Sequence, residues 1–132
     1  MNKYGLTAVK TVELLYLTKV TKPLDAWNTV STEIFGAGTW SQRKGCPKNA
    51  FLGLCEAGLI RGINEGRCSE NSGSQKNKNY AIEAVEILRS RPELVDDKHG
   101  LWRVVMNGVK KSHNSQMDVV LSLWNNNLII SE

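Results

Sequence analysis

Residues 47–58 read Pro-Lys-Asn-Ala-Phe-Leu-Gly-Leu-Cys-Glu-Ala-Gly, a stretch that would be apolar on nearly every face of a helix. A helix that is apolar all round is normally buried at the centre of a domain. Pro47 suits the first turn of this helix, with Cys46 near its N-cap, and Gly58 suits its C-terminal cap. The stretch therefore predicts one central, buried helix.

Amphipathic segments flank the central helix on both sides, with apolar side chains recurring at helical spacing. The segments are residues 5–20, residues 23–35, residues 78–91, a helix capped by Asp96 or Asp97, and a last helix capped by Ser112 or Asn114. No run of residues is long enough for a full sheet. The sequence predicts an all-α fold, an orthogonal bundle of about six helices, as one domain over residues 1–132.

Two further segments carry local signals of their own. Apolar residues alternate loosely from Leu59 to Ile63 and a turn signal follows, so a short β-hairpin over 59–69 is an expected addition to the bundle. Residues 69–79 contain no apolar side chain before Tyr80. We expect that segment to form a mobile polar surface loop.

The charge of the chain is concentrated in its middle. The 132 residues carry 17 basic and 13 acidic side chains, a formal net charge of +4. Residues 41–80 alone hold an excess of four positive charges, and a local basic surface attracts anions over about 8 Å at physiological salt. No apolar run reaches the ~18 residues of a membrane span, and no secretory signal opens the sequence. We expect no membrane partner.

The three cysteines are Cys46, Cys55 and Cys68, an odd number without the short Cys-x2–4-Cys spacing of zinc knuckles. We therefore expect free thiols in a reducing, cytoplasmic compartment and neither a metal nor another cofactor. Cys55 lies on the apolar helix and is expected in the core.

The strongest candidate site is the loop-to-helix junction at residues 42–48. Arg43, Lys44 and Lys48 supply positive charge, and Gly45 lets the backbone approach a ligand closely. The helix start near Cys46 adds unpaired N–H groups and the positive end of a helix dipole, which together favour phosphate or carboxylate. The alternative is a plain junction at which Gly45 turns the chain and Pro47 starts the helix.

Trp40 precedes this junction and has two possible roles. An exposed aromatic ring beside basic residues can stack on a nucleobase. A tryptophan in a loop can equally close over the hydrophobic core. The sequence favours the core position.

Cys46 also allows an enzymatic alternative. A thiol at a helix N-terminus beside lysine and arginine has a lowered pKa. A nucleophilic Cys46 would need a base, and His99 and His113 are the only histidines. The sequence does not tell whether either histidine lies near Cys46.

The string from Lys44 to Gly58, together with Asn77-Lys78-Asn79-Tyr80-Ala81 and Leu101-Trp102, resembles a family of small uncharacterised bacterial proteins, a domain of unknown function. The resemblance covers nearly the full length. It implies a bacterial, cytoplasmic setting and brings no activity, cofactor or catalytic residue.

Taken together, the sequence predicts a non-enzymatic binding module for an anionic ligand, either nucleic acid or a phosphorylated small molecule. The site residues are expected to be Trp40, Arg43, Lys44, Gly45, Cys46 and Lys48. Two alternatives stay open: a protein that acts only through a protein partner, and a thiol-dependent enzyme that uses Cys46.

Overall fold

The structure is a computed structural model and describes residues 2–68 and 75–130. Its helices are α1 (Lys3–Leu17), α2 (Pro23–Phe35), α3 (Trp40–Arg43), α4 (Gly45–Glu56), α5 (Gln75–Ser90), α6 (Lys98–Met106) and α7 (Gln116–Asn125). Two 3₁₀ turns, Glu65–Arg67 and Pro92–Asp96, lie between them. The predicted all-α fold of about six helices is confirmed: six helices are longer than two turns, and α3 adds a single turn.

The central helix of the bundle is α4, as the sequence predicts. A continuous run from Ala50 to Cys55 is buried, and α4 packs against α2, α5 and α7. Its closest neighbour is α5. A Cβ atom built on Gly53 would lie 2.6 Å from the Cα of Lys78, so only glycine permits this approach.

The ends of α4 agree with the prediction at one end and differ at the other. Gly58 follows the helix with a φ of +73°, and the amide of Leu59 donates to the carbonyl of Leu54, as expected of a C-terminal glycine cap. At the other end the helix begins at Gly45, before the expected start at Pro47. Cys46 is therefore inside the first turn and does not cap it.

The hairpin expected over 59–69 does not form in the described part of that range. Ile60 instead makes an isolated antiparallel bridge with Ile129, near the end of the chain. The amide of Arg61 donates to the carbonyl of Leu128 at 2.8 Å. Because Ile60 and Ile129 are both buried, this pairing closes the core, and a partner so distant leaves no local sequence signal.

The polar loop expected over 69–79 is shorter than predicted. Residues 75–79 form the first turn of α5, and residues 69–74 lie outside the described residues. Asn77 is buried there and its Oδ1 accepts a hydrogen bond from Nε2 of Gln116 at 3.0 Å. This tertiary bond, rather than an apolar face, fixes the helix start.

The caps of the last two helices were predicted with mixed success. Asp97 caps α6, because its Oδ1 accepts from the amide of Gly100 at 2.9 Å, as expected. The expected caps of α7, Ser112 and Asn114, were wrong. Ser115 precedes α7 with a φ of +68° and makes no side-chain cap. The six longer helices share one hydrophobic cluster.

Candidate anion-binding site

Helix α3 carries Trp40 away from the core on a short, hydrogen-bonded turn. The Oγ1 of Thr39 accepts from the amide of Gln42 at 3.2 Å and so caps the turn. The Gln42 side chain donates to Ser31 of α2 at 3.2 Å and accepts from the amide of Gly38. Polar bonds alone hold α3, none of its four residues is buried, and Trp40 is 93% exposed. The prediction that Trp40 closes over the core was wrong.

Tyr4 of α1 supports the junction from below. Its ring packs on Phe35 with centroids 4.7 Å apart, and its hydroxyl donates to the carbonyl of Ser41 at 3.0 Å. The ammonium of Lys44 lies 5.2 Å from the centre of the same ring, which is within the range of a cation–π contact. Tyr4 therefore ties α3 to α1 and sets the position of Lys44.

These side chains surround an open groove of about 530 Å³, which we call the α3 groove. Its lining residues are Tyr4, Trp40, Ser41, Arg43, Lys44 and Gly45. Two aromatic rings and two cations thus face one space, and none of the described residues that line it carries a carboxylate. The groove can accept a ring on its aromatic surface and an anion beside it.

The structure brings four of the six predicted site residues together in the α3 groove. Gly45 begins α4 at its edge, and no described side chain caps the amides of that first turn. Cys46 and Lys48 are half-buried and are not among the lining residues. Tyr4 and Ser41 were missed, and no sequence signal could have found Tyr4, because it lies 37 residues before its partner.

Three of the basic residues that were expected to widen the surface are instead bonded within the fold. Arg67 donates to the carbonyls of Leu15, Thr18 and Thr21 at the end of α1 and beyond it. Arg61 donates to the carbonyls of Asn127 and Ile129, and Lys78 pairs with Glu56 at 3.1 Å. The positive surface is therefore smaller than the sequence implies.

The comparison with known proteins places the chain in a family. The model of a family of unknown function, DUF6979, matches residues 1–130. The chain belongs to DUF6979. The resemblance that the sequence carries to a domain of unknown function is therefore confirmed. No curated protein and no solved structure is significantly similar to the chain.

Two broader searches of this DUF6979 chain complete the description of the site. Within residues 2–68 and 75–130, none of the helices combines the length and apolar character needed to cross a bilayer. In that same part of the chain, no three His, Cys, Asp or Glu side chains are placed to hold a metal ion together.

The two histidines of the DUF6979 chain lie side by side, with ring centroids 5.3 Å apart. Burial lowers the pKa of His113, and the positive charge of Lys98 lowers it further. The carboxylate of Asp118, itself paired with Lys98 at 3.1 Å, opposes this effect. Among the described residues, no hydrogen bond joins either histidine to Cys46.

The structure pairs the other two cysteines. Burial in the core raises the pKa of Cys55. A hydrogen bond from Cys55 lowers the pKa of Cys68, which is half-buried. The sequence did not single out Cys68, because a separation of 13 residues gives no hint of contact.

Proposed function

We propose that this protein is a non-enzymatic binding module whose ligand combines an aromatic base with phosphate. The base stacks on Trp40, and the phosphate binds Arg43 and Lys44 across the α3 groove. The observation that carries the proposal is the 93% exposure of Trp40 beside these two cations. A large aromatic ring left in water contributes nothing to stability, so its placement next to unpaired bases favours a role in binding.

The chemistry of the groove fits a nucleotide unit. Base-on-aromatic stacking contributes about 1–3 kcal/mol per base and accepts every base, because each presents a π-face. Arginine can bind phosphate through two parallel hydrogen bonds, and lysine adds a point charge. Because no described carboxylate lines the groove, Arg43 and Lys44 have no competing anion there.

The test is binding of labelled single-stranded oligonucleotides and of a nucleoside triphosphate at two salt concentrations. We expect Trp40→Ala to weaken binding about tenfold, as one lost stacking contact implies. The variant Arg43→Gln/Lys44→Gln should also reduce the salt dependence of binding by about 1.4, or 0.7 for each phosphate contact.

The matched control for charge is Lys10→Gln/Lys19→Gln, which removes two exposed bases from outside the groove. It should leave the affinity within about twofold of the wild type, since distant charges are screened. The proposal fails when Trp40→Ala binds as tightly as the wild-type protein, or when the control pair weakens binding as much as the groove pair.

A second candidate function is interaction with a protein partner, and one observation favours it. Leu17 and Val20, at the end of α1 and just after it, are 83% and 92% exposed. Exposed apolar side chains that lie close together are typical of interaction sites. The variant Leu17→Gln/Val20→Gln would then lose a stoichiometric protein partner and retain oligonucleotide binding.

The compartment belongs to the same proposal. All three cysteines have free thiols. Free thiols are usual in a reducing compartment, which supports a cytoplasmic location in a bacterium. An enzymatic role for Cys46 would require a base, and the described residues place no hydrogen bond between Cys46 and a histidine.

A further inference from the structure

A second cationic groove lies on α6 and the loop that follows it. It has a volume of about 370 Å³ and is lined on its polar side by His99, Arg103, Lys110 and Lys111. We call it the α6 groove. None of the described residues that line it is acidic. The sequence gave no hint of it, because residues 81–132 hold slightly more acidic than basic side chains.

The loop of the α6 groove is held in place at Lys111. The indole N–H of Trp102 donates to the carbonyl of Lys111 at 2.7 Å. The ammonium of Lys111 lies 3.3 Å from the hydroxyl of Tyr80 and 5.2 Å from the centre of its ring. Because its backbone and its side chain are both anchored, Lys111 presents a fixed positive charge. Preorganised charges bind anions with less loss of entropy than mobile ones.

The two grooves adjoin at the start of α4. The pKa of Lys111 is raised, mainly by its contact with Tyr80, and Cys46 in the first turn of α4 adds to the effect. Lys44 of the α3 groove acts in turn on His113, beside His99. Charges that act on each other in this way lie on one face of the molecule. Lys111 and Lys44 are therefore neighbours in one positive band.

We propose that the α3 and α6 grooves form one track for a single strand of nucleic acid, with a base stacked on Trp40 and the following backbone phosphates on Arg103 and Lys110. This inference rests on the proposed function and extends it, because it makes the ligand a polymer. A free nucleotide has one base and one phosphate group, which the α3 groove alone satisfies. A strand repeats its phosphates and can occupy both grooves.

The test compares a nucleoside triphosphate with single-stranded oligonucleotides of about two to twelve residues, as DNA and as RNA. The variant Arg103→Gln/Lys110→Gln alters the α6 groove alone. Both side chains are exposed, and the structure records no hydrogen bond or ion pair from either to a described residue. The fold should therefore tolerate the change, which circular dichroism and urea unfolding would verify.

We expect this variant to bind the longer oligonucleotides about fivefold to tenfold more weakly. The slope of log affinity against log salt should fall by about 1.4, or 0.7 for each of two phosphates. Affinity for the triphosphate should not change. Affinity of the wild-type protein should rise with strand length until both grooves are filled. The control Lys10→Gln/Lys19→Gln should retain the wild-type slope.

The outcomes separate this inference from the proposed function. When Trp40→Ala weakens binding and Arg103→Gln/Lys110→Gln does not, the track is wrong and the α3 groove stands as a nucleotide site. When Trp40→Ala has no effect on any ligand, the proposed function itself is wrong. Equal weakening of triphosphate and oligonucleotide by the α6 variant, or equal affinity for a duplex of the same length, would also overturn the track.

Discussion

The basic side chains between residues 41 and 80 divide into two sets that the fold uses in opposite ways. Arg43 and Lys44 line a groove and meet no carboxylate of a described residue there. Arg61 and Arg67, some twenty residues later, donate to backbone carbonyls of distant segments. A net positive charge in sequence therefore counts both binding groups and structural donors. Only the partners of each side chain distinguish them.

The largest expected difference between the two sets is in stability. Arg67→Gln removes a guanidinium that bonds the carbonyls of Leu15, Thr18 and Thr21, leaving part-buried acceptors unpaired. Hydrogen bonds from a charged group contribute about 1.5–3 kcal/mol, so we expect a loss of about 2–4 kcal/mol. Arg43→Gln, at an exposed position, should change stability by less than about 0.5 kcal/mol.

Urea unfolding followed by circular dichroism measures both variants under the same conditions. The midpoint should fall clearly for Arg67→Gln and stay near the wild-type value for Arg43→Gln, with similar slopes. Equal losses of stability in the two variants would remove the distinction between structural and binding arginines.

Much of the fold could be predicted because its signals are local. The apolar run in residues 47–58, the glycine cap at Gly58 and the cap at Asp97 each depend on residues a few positions apart. The misses all depend on long-range contacts. The bridge between Ile60 and Ile129 and the bond between Asn77 and Gln116 join distant segments, and periodicity carries no trace of them.

The candidate site was predictable in part for the same reason. Arg43, Lys44, Gly45 and Trp40 follow one another closely, so the sequence could group them. The side chain of Tyr4 comes from another helix, and the α6 groove depends on how a loop folds back on Trp102. Whether Trp40 is buried or exposed was decided by the polar bonds of Gln42, which a pattern of apolar residues cannot show.

Cysteine reactivity gives a second comparison within the region of structural bases. A hydrogen bond from Cys55 lowers the pKa of Cys68, and the charge of Arg67 contributes in the same direction. Cys55 itself is fully buried and its pKa is raised by burial. We expect Cys68 to alkylate in the folded protein and Cys55 to react more slowly, on the order of a hundredfold, because it must wait for local opening.

Iodoacetamide labelling followed by peptide mass spectrometry would follow each cysteine separately as a function of pH. The labelling of Cys68 should begin at lower pH than that of a free thiol. Cys68→Ser is the control, since it removes one labelled peptide and the hydrogen bond together. Equal labelling rates for Cys55 and Cys68 in the folded protein would contradict the assignment.

The ion pair of Lys78 with Glu56 should have a smaller effect. The pair spans 3.1 Å between α5 and α4, with both side chains mostly shielded from water. A double-mutant cycle with Lys78→Met and Glu56→Gln isolates the pairwise energy, and we expect about 1 kcal/mol of coupling. A coupling energy of zero would mean that Lys78 is as available to a ligand as Arg43.

The smallest expected effect concerns His113, on which a base of the binding set acts. Burial lowers the pKa of His113, and Lys98, His99 and Lys44 lower it further, while Asp118 raises it. The unfolded chain therefore binds a proton at this residue more readily than the folded protein does. Stability should be full above the ordinary pKa of 6.5 and decline as the pH falls from there to the lowered value of the folded state.

Urea midpoints measured at several pH values, from above to well below 6.5, would show this decline in the wild-type protein. His113→Gln removes the titrating ring and should flatten that part of the profile. Lys44→Gln removes one of the charges that disfavour the protonated ring, so the decline should become shallower without disappearing. Identical pH profiles for all three proteins would mean that Lys44 acts on the groove alone and has no influence on the histidine pair.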